Sequence, residues 1–276
     1  MFGLFRRKQV NDIKGSSPYS LALLSVSERL KPMTQVEFEI ANQSLEEVFD
    51  WLSEQEQGHW FNGGHFNMSD QTGAQYQLKI SRYFGSNTLP VVFTNNTETI
   101  LHSLPLLDSP RKEVGVIHIG HQFDLRDPLD VEQGSAFHFA LARYNGCRLF
   151  YLGVDDNQSM KTFEYAEDLG CDWMKASECT FSHRFAVKQQ LTAYLAHCDE
   201  VVLNIDLASL YPKLRLEHGD GLDVQIVNRI IRLVLMSQKT KLVQLVGWKD
   251  KHIYSKATQG VLHEIATMVP SRDCAA

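Results

Sequence analysis

The sequence predicts a single three-layer α/β/α domain built on a mainly parallel β-sheet. Three observations support this fold class. The chain has 276 residues, a length that one large α/β domain can fill. Its composition, 43% hydrophobic and 22% charged, is typical of globular proteins and argues against a disordered chain or a coiled coil. Short apolar runs alternate with amphipathic segments, the pattern of strands that are covered on both faces by crossover helices.

The front of the chain shows the weakest patterning. We predict an irregular N-terminal leader over residues 1–35 and the α/β domain over residues 36–276. Apolar residues at helical spacing predict a helix over Gln43–Gln55. The segment His59–His65 contains two adjacent glycines and predicts a turn. Apolar and polar residues alternate over Gln77–Phe84, which predicts a half-buried strand.

The rest of the chain alternates between the two kinds of element. Five apolar runs predict buried strands, at Pro90–Phe93, Val114–Ile119, Arg148–Val154, Glu200–Asp206 and Lys241–Gly247. Apolar residues at helical spacing predict helices between and after these strands, at Thr97–Ser103, Ser135–Tyr144, Met160–Asp168, Arg184–His197, Asp223–Met236 and Ser255–Met268. No Pro/Ser-rich linker or internal repeat divides this region, so one domain accounts for it.

Charge and cysteine content exclude several classes of function. The formal net charge is −6, which offers no electrostatic basis for binding nucleic acid or an anionic membrane. No apolar run approaches the roughly 18–20 residues of a membrane-spanning helix. The five cysteines form no Cys-x-x-Cys pair, so we expect neither a zinc ribbon nor a redox motif. No apolar signal core follows the basic residues near the start, and we expect a cytoplasmic protein.

The carboxyl ends of the strands are where α/β proteins bind ligands. There, His118, His121 and Asp124 fall within seven residues, and imidazole and carboxylate are ligands for zinc, manganese or iron. The alternative is structural: His118 packs in a strand beneath a helix, and Asp124 and Asp127 cap a turn. The structural interpretation is favoured, because imidazoles find hydrogen bonds as readily as metals.

Four segments, in this order, resemble the ureohydrolase superfamily of arginases, agmatinases and formimidoylglutamases, and formimidoylglutamases most of all. The segments are Pro90–Thr99, Val116–Pro128, Val201–Pro212 and Leu242–Asp250. The resemblance covers roughly residues 89–269 and implies an arginase-like fold. Active members of this superfamily hold two manganese ions, which convert a bridging water to the hydroxide that attacks an amidine or guanidine carbon.

Carried over residue by residue, the resemblance retains two of the six metal-ligand positions, Asp124 and Asp206. The other four positions hold residues that are poor divalent ligands or have no donor atom: Thr97, Gly120, Gln122 and Ala208. The glutamate that grips the cationic amidine in this family maps to Lys249, which would repel such a substrate. A shift of one residue would instead place Asp250 there.

This pattern predicts a ureohydrolase-fold protein that has lost its dinuclear metal centre and acts as a non-catalytic binding or scaffold protein, without a cofactor. The alternative is an active amidine or guanidine hydrolase whose site is rebuilt from His118, His121, Asp124 and Asp206 around manganese or another divalent metal. We expect a small amino-acid-like ligand as a partner, and no nucleic acid or membrane. The resemblance also implies a homotrimer or homohexamer.

Two further positions relate to a carboxylate. The stretch Gln133–His138 lies where formimidoylglutamases hold the carboxylate of the substrate, and Gly and Ser at a helix start can bind an anion. We favour a simpler role for Ser135, as the N-cap of a helix, because capping needs no ligand. Arg126 matches an arginine of the family motif and could pair with Asp127, with Asp130 or with a bound carboxylate.

Overall fold

A computed structural model of the chain describes residues 21–54, 60–69, 72–210 and 221–268. Eight strands run through this part: β1 (Leu21–Ser27), β2 (Trp60–Asn67), β3 (Leu89–Thr94), β4 (Val114–Ile119), β5 (Cys147–Val154), β6 (Asp172–Lys175), β7 (Glu200–Asp206) and β8 (Thr240–Val246). They form one sheet in the order β2-β1-β3-β8-β7-β4-β5-β6. Every pair of neighbours is parallel, so all strand carboxyl ends lie at one edge of the sheet.

Seven α-helices connect and cover the strands: α1 (Gln35–Glu54), α2 (Thr72–Phe84), α3 (Ala136–Arg143), α4 (Met160–Asp168), α5 (Arg184–His197), α6 (Val224–Met236) and α7 (Lys256–Met268). Short 3-10 helices follow β3 at Thr97–His102, β7 at Leu207–Leu210 and β8 at Lys249–Tyr254. Among the described helices, none is long and apolar enough to cross a membrane.

The helices divide between the two faces of the sheet, which gives three layers. Helices α1, α5, α6 and α7 bury their apolar stripes on one face, and α2, α3 and α4 bury theirs on the other. Strand residues alternate between the two cores: Leu21 and Leu23 of β1 belong to the first, and Ala22 and Leu24 to the second. Because both faces are covered, the strands read as continuous apolar runs. The predicted α/β/α fold class is confirmed.

The front of the chain differs from the prediction. The proposed leader, residues 1–35, includes β1, a fully buried strand between β2 and β3. A short apolar run buried on both faces shows no periodicity, so the sequence left it unassigned. The segment predicted as a strand, Gln77–Phe84, is the second half of α2, because its buried residues Tyr76, Ile80 and Tyr83 lie at helical spacing.

The predicted turn at His59–His65 is the edge strand β2, whose described residues begin at Trp60. The two glycines of this segment explain why a turn was predicted there. The register of β2 against β1 shifts between Leu23 and Leu24, and a Cβ on Gly63 would lie 2.6 Å from Leu24 Cγ. The strand needs a glycine there because its backbone passes so close to β1. The short edge strand β6 was not predicted either.

Candidate functional site

The carboxyl edge of the sheet brings together the ends of β3, β4, β7 and β8, which are contiguous in the sheet. Two of the predicted ligand positions lie side by side here. A Cβ on Gly120, just after β4, would lie 3.3 Å from Cβ of Asp206 at the end of β7. Two others are bonded to each other, since the Thr97 hydroxyl donates a hydrogen bond to the Asp124 carboxylate. Four of the predicted ligand positions thus lie in two contacting pairs at this edge of the sheet.

His118 lies inside the sheet and is 1% exposed. Its Nδ1 accepts a hydrogen bond from Asn204 Nδ2 at 2.7 Å, across the β4–β7 pair. The main-chain carbonyl of Gln122 accepts a hydrogen bond from the ring on its other side. Burial lowers the pKa of His118 to about 3, so the imidazole is neutral near pH 7. Both ring nitrogens are thus used within the protein.

The ring of His118 fills the space beside Gly120. A Cβ on Gly120 would lie 2.4 Å from His118 Nε2 and 2.9 Å from Cε1, closer than real Cβ contacts allow. The ring is also packed against Phe137, with ring centroids 5.0 Å apart, and against Tyr151 at 5.7 Å. It has no room to swing aside. At the predicted ligand position Gly120, the packed ring leaves no space for a side chain.

A row of buried polar side chains continues from His118 across the sheet. Asn204 Oδ1 accepts a hydrogen bond of 2.9 Å from Gln244 Nε2, and the same nitrogen donates to the Thr97 carbonyl at 3.0 Å. Asn204 and Gln244 are fully buried, on neighbouring strands and in register with His118. Such bonds are favourable in a low dielectric. The row holds the turn after β3 against β8.

Asp124 occupies an unusual backbone conformation. Its φ is +49°, in the left-handed region that aspartate tolerates better than most residues. Burial raises the pKa of Asp124, and the hydrogen bond from the Thr97 hydroxyl lowers it in part. Its main-chain carbonyl accepts from the Phe137 amide at 3.1 Å. The turn-capping role of Asp124 stays a prediction, because the bond to Phe137 comes from its main chain and its carboxylate bonds Thr97.

Glu98 is the residue at this edge that the sequence did not single out. It is 2% exposed, and its Oε1 accepts hydrogen bonds from the amides of Gly134, Ser135 and Ala136 at 2.7, 3.0 and 3.2 Å. These amides are at the start of α3, where a carboxylate satisfies free N–H groups and interacts favourably with the helix dipole. A contact between residues about 36 positions apart leaves no local sequence signal.

The cap of α3 corrects the prediction for Ser135. This residue stands at the N-cap position, but its side chain makes no capping hydrogen bond. Its hydroxyl donates instead to the Glu132 carbonyl at 2.6 Å. Glu98 supplies the acceptor instead. Its carboxylate binds the amides at the start of α3, the place where the resemblance implies the carboxylate of a substrate. In the structure, the anion at these amides is the internal carboxylate of Glu98.

The environment of Glu98 predicts an effect of pH on stability. Burial, and secondly the Asp124 carboxylate, raise the pKa of Glu98 to about 7 from an ordinary value of 4.5, although the backbone N–H bonds lower it in part. A carboxyl whose pKa is raised by folding destabilises the protein as pH rises from 4.5 through 7. We expect the free energy of unfolding to fall by up to about 3 kcal/mol over this pH range. His118 has the opposite effect below pH 6.5, because folding lowers its pKa.

The measurement is therefore a difference between two proteins. Urea unfolding of the wild type and of Glu98→Gln is followed at pH 5 and pH 8. Glutamine keeps an acceptor oxygen but does not titrate. The free energy of unfolding of Glu98→Gln, relative to that of wild type, should therefore rise by up to about 3 kcal/mol from pH 5 to pH 8. An unchanged difference would show that Glu98 ionises normally in the folded protein.

The remaining predicted metal ligands also contact the protein itself. Asp206 Oδ1 accepts from the Ala208 amide at 2.9 Å, which closes the turn after β7. His121 Nδ1 lies 3.0 Å from the Gly153 carbonyl on β5. Within the described ranges, no group of three or more His, Cys, Asp or Glu side chains is placed to hold a metal ion. This donor set does not fit two divalent ions that share a bridging hydroxide.

The predicted substrate-binding residues lie apart from one another. Arg126 pairs with Glu132 at 2.5 Å and donates to the Gln133 carbonyl at 3.0 Å, so its partner is neither Asp127 nor Asp130. Lys249 Nζ lies 4.0 Å from a carboxylate oxygen of Glu37 on α1. The side chain of Asp250 lies outside the described residues. The choice between Lys249 and Asp250 at the amidine position stays a prediction.

Comparisons with known proteins agree with this fold. No family model matches the chain. The chain is 27% identical over 201 residues to formimidoylglutamase of Chromobacterium violaceum, covering 66% of this chain and 63% of that protein. It is 26% identical over 183 residues to formimidoylglutamase of Aeromonas hydrophila, covering 62% and 58%. The chain thus matches about three fifths of the length of these curated relatives.

Solved structures show the same architecture. Arginase from Bacillus cereus superimposes with a TM-score of 0.68 at 14% identity, over 89% of this chain and 98% of that one. Formimidoylglutamase from Bacillus subtilis superimposes with a TM-score of 0.67 at 13% identity, over 97% and 96%. At such identities the likeness shows the fold.

The parallel sheet, its covering helices and the position of the strand-end residues define the chain as an arginase-fold α/β protein. The sequence similarity relates it to the ureohydrolase superfamily, with the formimidoylglutamases as its curated relatives.

Proposed function

We propose that this chain is a ureohydrolase-fold protein that has lost the dinuclear manganese centre and amidine hydrolysis, and that it acts as a non-catalytic binding or scaffold protein. Four of six ligand positions hold Thr97, Gly120, Gln122 and Ala208. A methyl group or a missing side chain has no donor atom, and hydroxyl and amide groups are weak divalent ligands. Two carboxylates are too few to hold two divalent ions in a fixed geometry.

The observation that carries this proposal is the packing of His118 over Gly120. A changed ligand by itself leaves a vacancy that a single reverse substitution could fill. Here the neighbouring ring occupies that vacancy, 2.4 Å from where a Cβ would be, and hydrogen bonds and aromatic contacts hold the ring in place. The former ligand position has become part of the buried polar row.

The alternative, a metal site rebuilt from His118, His121, Asp124 and Asp206, has less support. His118 would have to give up its hydrogen bond with Asn204 or with Gln122 to present a lone pair to a metal. His121 would have to turn away from the Gly153 carbonyl if Nδ1 were the ligand. Metal analysis of the untreated purified protein decides this alternative, which needs stoichiometric zinc, iron or manganese.

The proposal also concerns where an amino-acid-like ligand places its carboxylate and in which cellular compartment the protein is found. An amino-acid-like ligand that placed its carboxylate at the start of α3 would have to displace Glu98 from three amides. We infer that the ligand binds with its carboxylate elsewhere. Cys147, Cys171, Cys179 and Cys198 are buried free thiols, which suits a reducing compartment and supports a cytoplasmic location.

Loading with manganese tests the proposal. The protein is incubated with excess MnCl2, dialysed and analysed for metal, and then assayed for release of formamide, urea or ammonia from formimidoylglutamate, arginine and agmatine. We expect substoichiometric manganese and no hydrolysis above the rate without protein, because the donor set is incomplete. An active formimidoylglutamase handled in parallel is the positive control. Stoichiometric manganese together with turnover of one of these substrates would overturn the proposal.

A further inference from the structure

Two arginines and two phenylalanines form an exposed cluster where α5 begins. Arg184 Cζ lies 4.9 Å from the ring centroid of Phe181 and 4.6 Å from that of Phe185, and Arg229 Cζ on α6 lies 5.4 Å from the ring centroid of Phe181. Phe181 and Phe185 are 39% and 70% exposed. We call these four residues the arginine–phenylalanine patch. Arginine and aromatic side chains are enriched where proteins bind one another, so the patch has the composition of a binding surface.

Arg184 is held in place within the patch. Its guanidinium contacts both rings, and its Nη1 donates a hydrogen bond to the Phe181 carbonyl at 3.1 Å. A guanidinium has five N–H donors, and this bond uses one of them. Stacking on a ring covers the face of the guanidinium and leaves its N–H edge available to a carboxylate. Because the group is already oriented, it loses little conformational freedom when it binds a partner.

The positive charge of the patch is not neutralised locally. Within the described part of the chain, neither Arg184 nor Arg229 has a carboxylate in salt-bridge range. The acidic residues nearest to them in sequence, Glu178 and Asp223, each accept a hydrogen bond from a main-chain amide of their own segment. Helix α5 contains Arg184 and Lys188 and no acidic residue. Its N-terminus, the positive end of the helix dipole, lies at the patch and adds to the positive potential.

The geometry of the rings favours an acidic peptide over a nucleic acid as the partner. Bases bind to proteins by stacking on the faces of aromatic side chains. Here an arginine already lies over the ring of Phe185, and two arginines lie over the ring of Phe181. A nucleic-acid site also needs a longer track of basic residues along the phosphates. Two guanidinium groups instead match two carboxylates, and the exposed edge of Phe185 matches an apolar side chain.

The size of the patch favours a short segment over a broad folded surface. A standard protein–protein interface buries roughly 800 Å² on each partner. Four side chains that partly cover one another expose less than this. A short peptide segment can bind a surface of this size, because it needs a few oriented contacts rather than a wide complementary face.

We propose that the arginine–phenylalanine patch binds a short acidic segment of another protein. Two carboxylates of this segment pair with Arg184 and Arg229, and an apolar side chain of the segment packs against Phe185. The inference goes beyond the proposed function, because the patch lies on the outer helix layer and its chemistry is the same whether or not the chain binds metal or hydrolyses amidines.

Selection from a random 12-residue peptide library, displayed on phage and applied to the immobilised full chain, tests this inference. Wild type should enrich peptides that carry two or more Asp or Glu residues beside a large apolar residue. The most enriched peptide is then synthesised with a fluorescein label, and its affinity is measured by fluorescence anisotropy. Arg184→Glu/Arg229→Glu and Phe185→Ser should each weaken binding of this peptide by about ten-fold or more, and added salt should weaken it in wild type.

Two further variants make the result specific. Arg82→Glu/Lys161→Glu reverses two charges on the other helix layer and should bind the peptide like wild type. Arg184→Lys/Arg229→Lys keeps the charge but loses the planar fork of donors, and should bind roughly several-fold more weakly than wild type. Far-UV circular dichroism confirms that each variant is folded.

Four outcomes would overturn the proposal. One is a selection that enriches no acidic sequence, and another is a peptide affinity that is equal in wild type and in both patch variants. A third is a labelled 20-nucleotide oligo(dT) that binds the patch more tightly than the peptide does. The fourth is self-association of wild type, measured by sedimentation velocity, that Arg184→Glu/Arg229→Glu abolishes, because a second copy would then be the occupant of the patch.

Discussion

Replacing Gly120 by aspartate, the ligand that the family resemblance implies at this position, is expected to destabilise the protein by about 3–5 kcal/mol rather than to provide a metal ligand. The new Cβ would lie 2.4 Å from His118 Nε2, and the ring is held by Asn204 and Phe137. Overpacking of this kind costs about 1–3 kcal/mol, and a buried carboxylate without a positive partner adds to it. Urea unfolding measures the loss.

Two companion variants make this result specific. Gly260→Asp places the same side chain on α7, where a Cβ meets no atom within 4 Å, and should cost about 1 kcal/mol or less. In the double variant His118→Ala/Gly120→Asp the clash is relieved, so its loss should fall short of the sum of the single losses by about 1 kcal/mol or more. Additive losses would contradict the packing of His118 over Gly120.

Removing the Glu98 side chain is the second change with a large expected effect. Glu98→Ala leaves the amides of Gly134, Ser135 and Ala136 without their acceptor. Unsatisfied donors in a buried site cost about 1–3 kcal/mol each before water or local rearrangement compensates. Loss of a helix cap alone costs about 1 kcal/mol. We expect the free energy of unfolding at pH 7 to fall by about 3 kcal/mol, measured by urea denaturation.

The interpretation of Glu98→Ala depends on its comparison with Glu98→Gln. Glutamine keeps one acceptor oxygen for the three amides and should retain most of the stability. If both variants lost the same amount, the volume of the side chain rather than its oxygen would account for the effect. If Glu98→Ala were as stable as wild type, Glu98 would have no capping role. Ser135→Ala tests the corrected prediction, since the Ser135 side chain makes no capping bond.

These predictions concern contacts that side chains of the protein make with one another at the carboxyl edge of the sheet. Thr97 bonds Asp124, His118 fills the space beside Gly120, and Glu98 occupies the start of α3. In each case a side chain of the protein stands where the family resemblance implies a ligand or a metal. The proposal of a non-catalytic role depends on these contacts together with the changed residues.

Sequence reasoning was most successful where burial produces a simple pattern. The strand Val114–Ile119 and the helices Met160–Asp168 and Arg184–His197 have the predicted bounds. The reason is that a strand buried on both faces is continuously apolar and a covering helix repeats every 3.6 residues. At β2 the same reasoning failed. Gly63 was interpreted as a sign of a turn, but the strand needs a glycine there because β1 passes so close to it.

The sequence by itself determined the fold class and the family resemblance, since both depend on residue identity and order along the chain. It also predicts that Thr97, Gly120, Gln122 and Ala208 supply no strong metal ligand. The tertiary structure alone decided which side chains fill the space at the strand ends. The contacts of His118 with Asn204 and of Glu98 with Gly134 join residues 86 and 36 positions apart. Such contacts depend on how strands and loops are packed, which local periodicity does not encode.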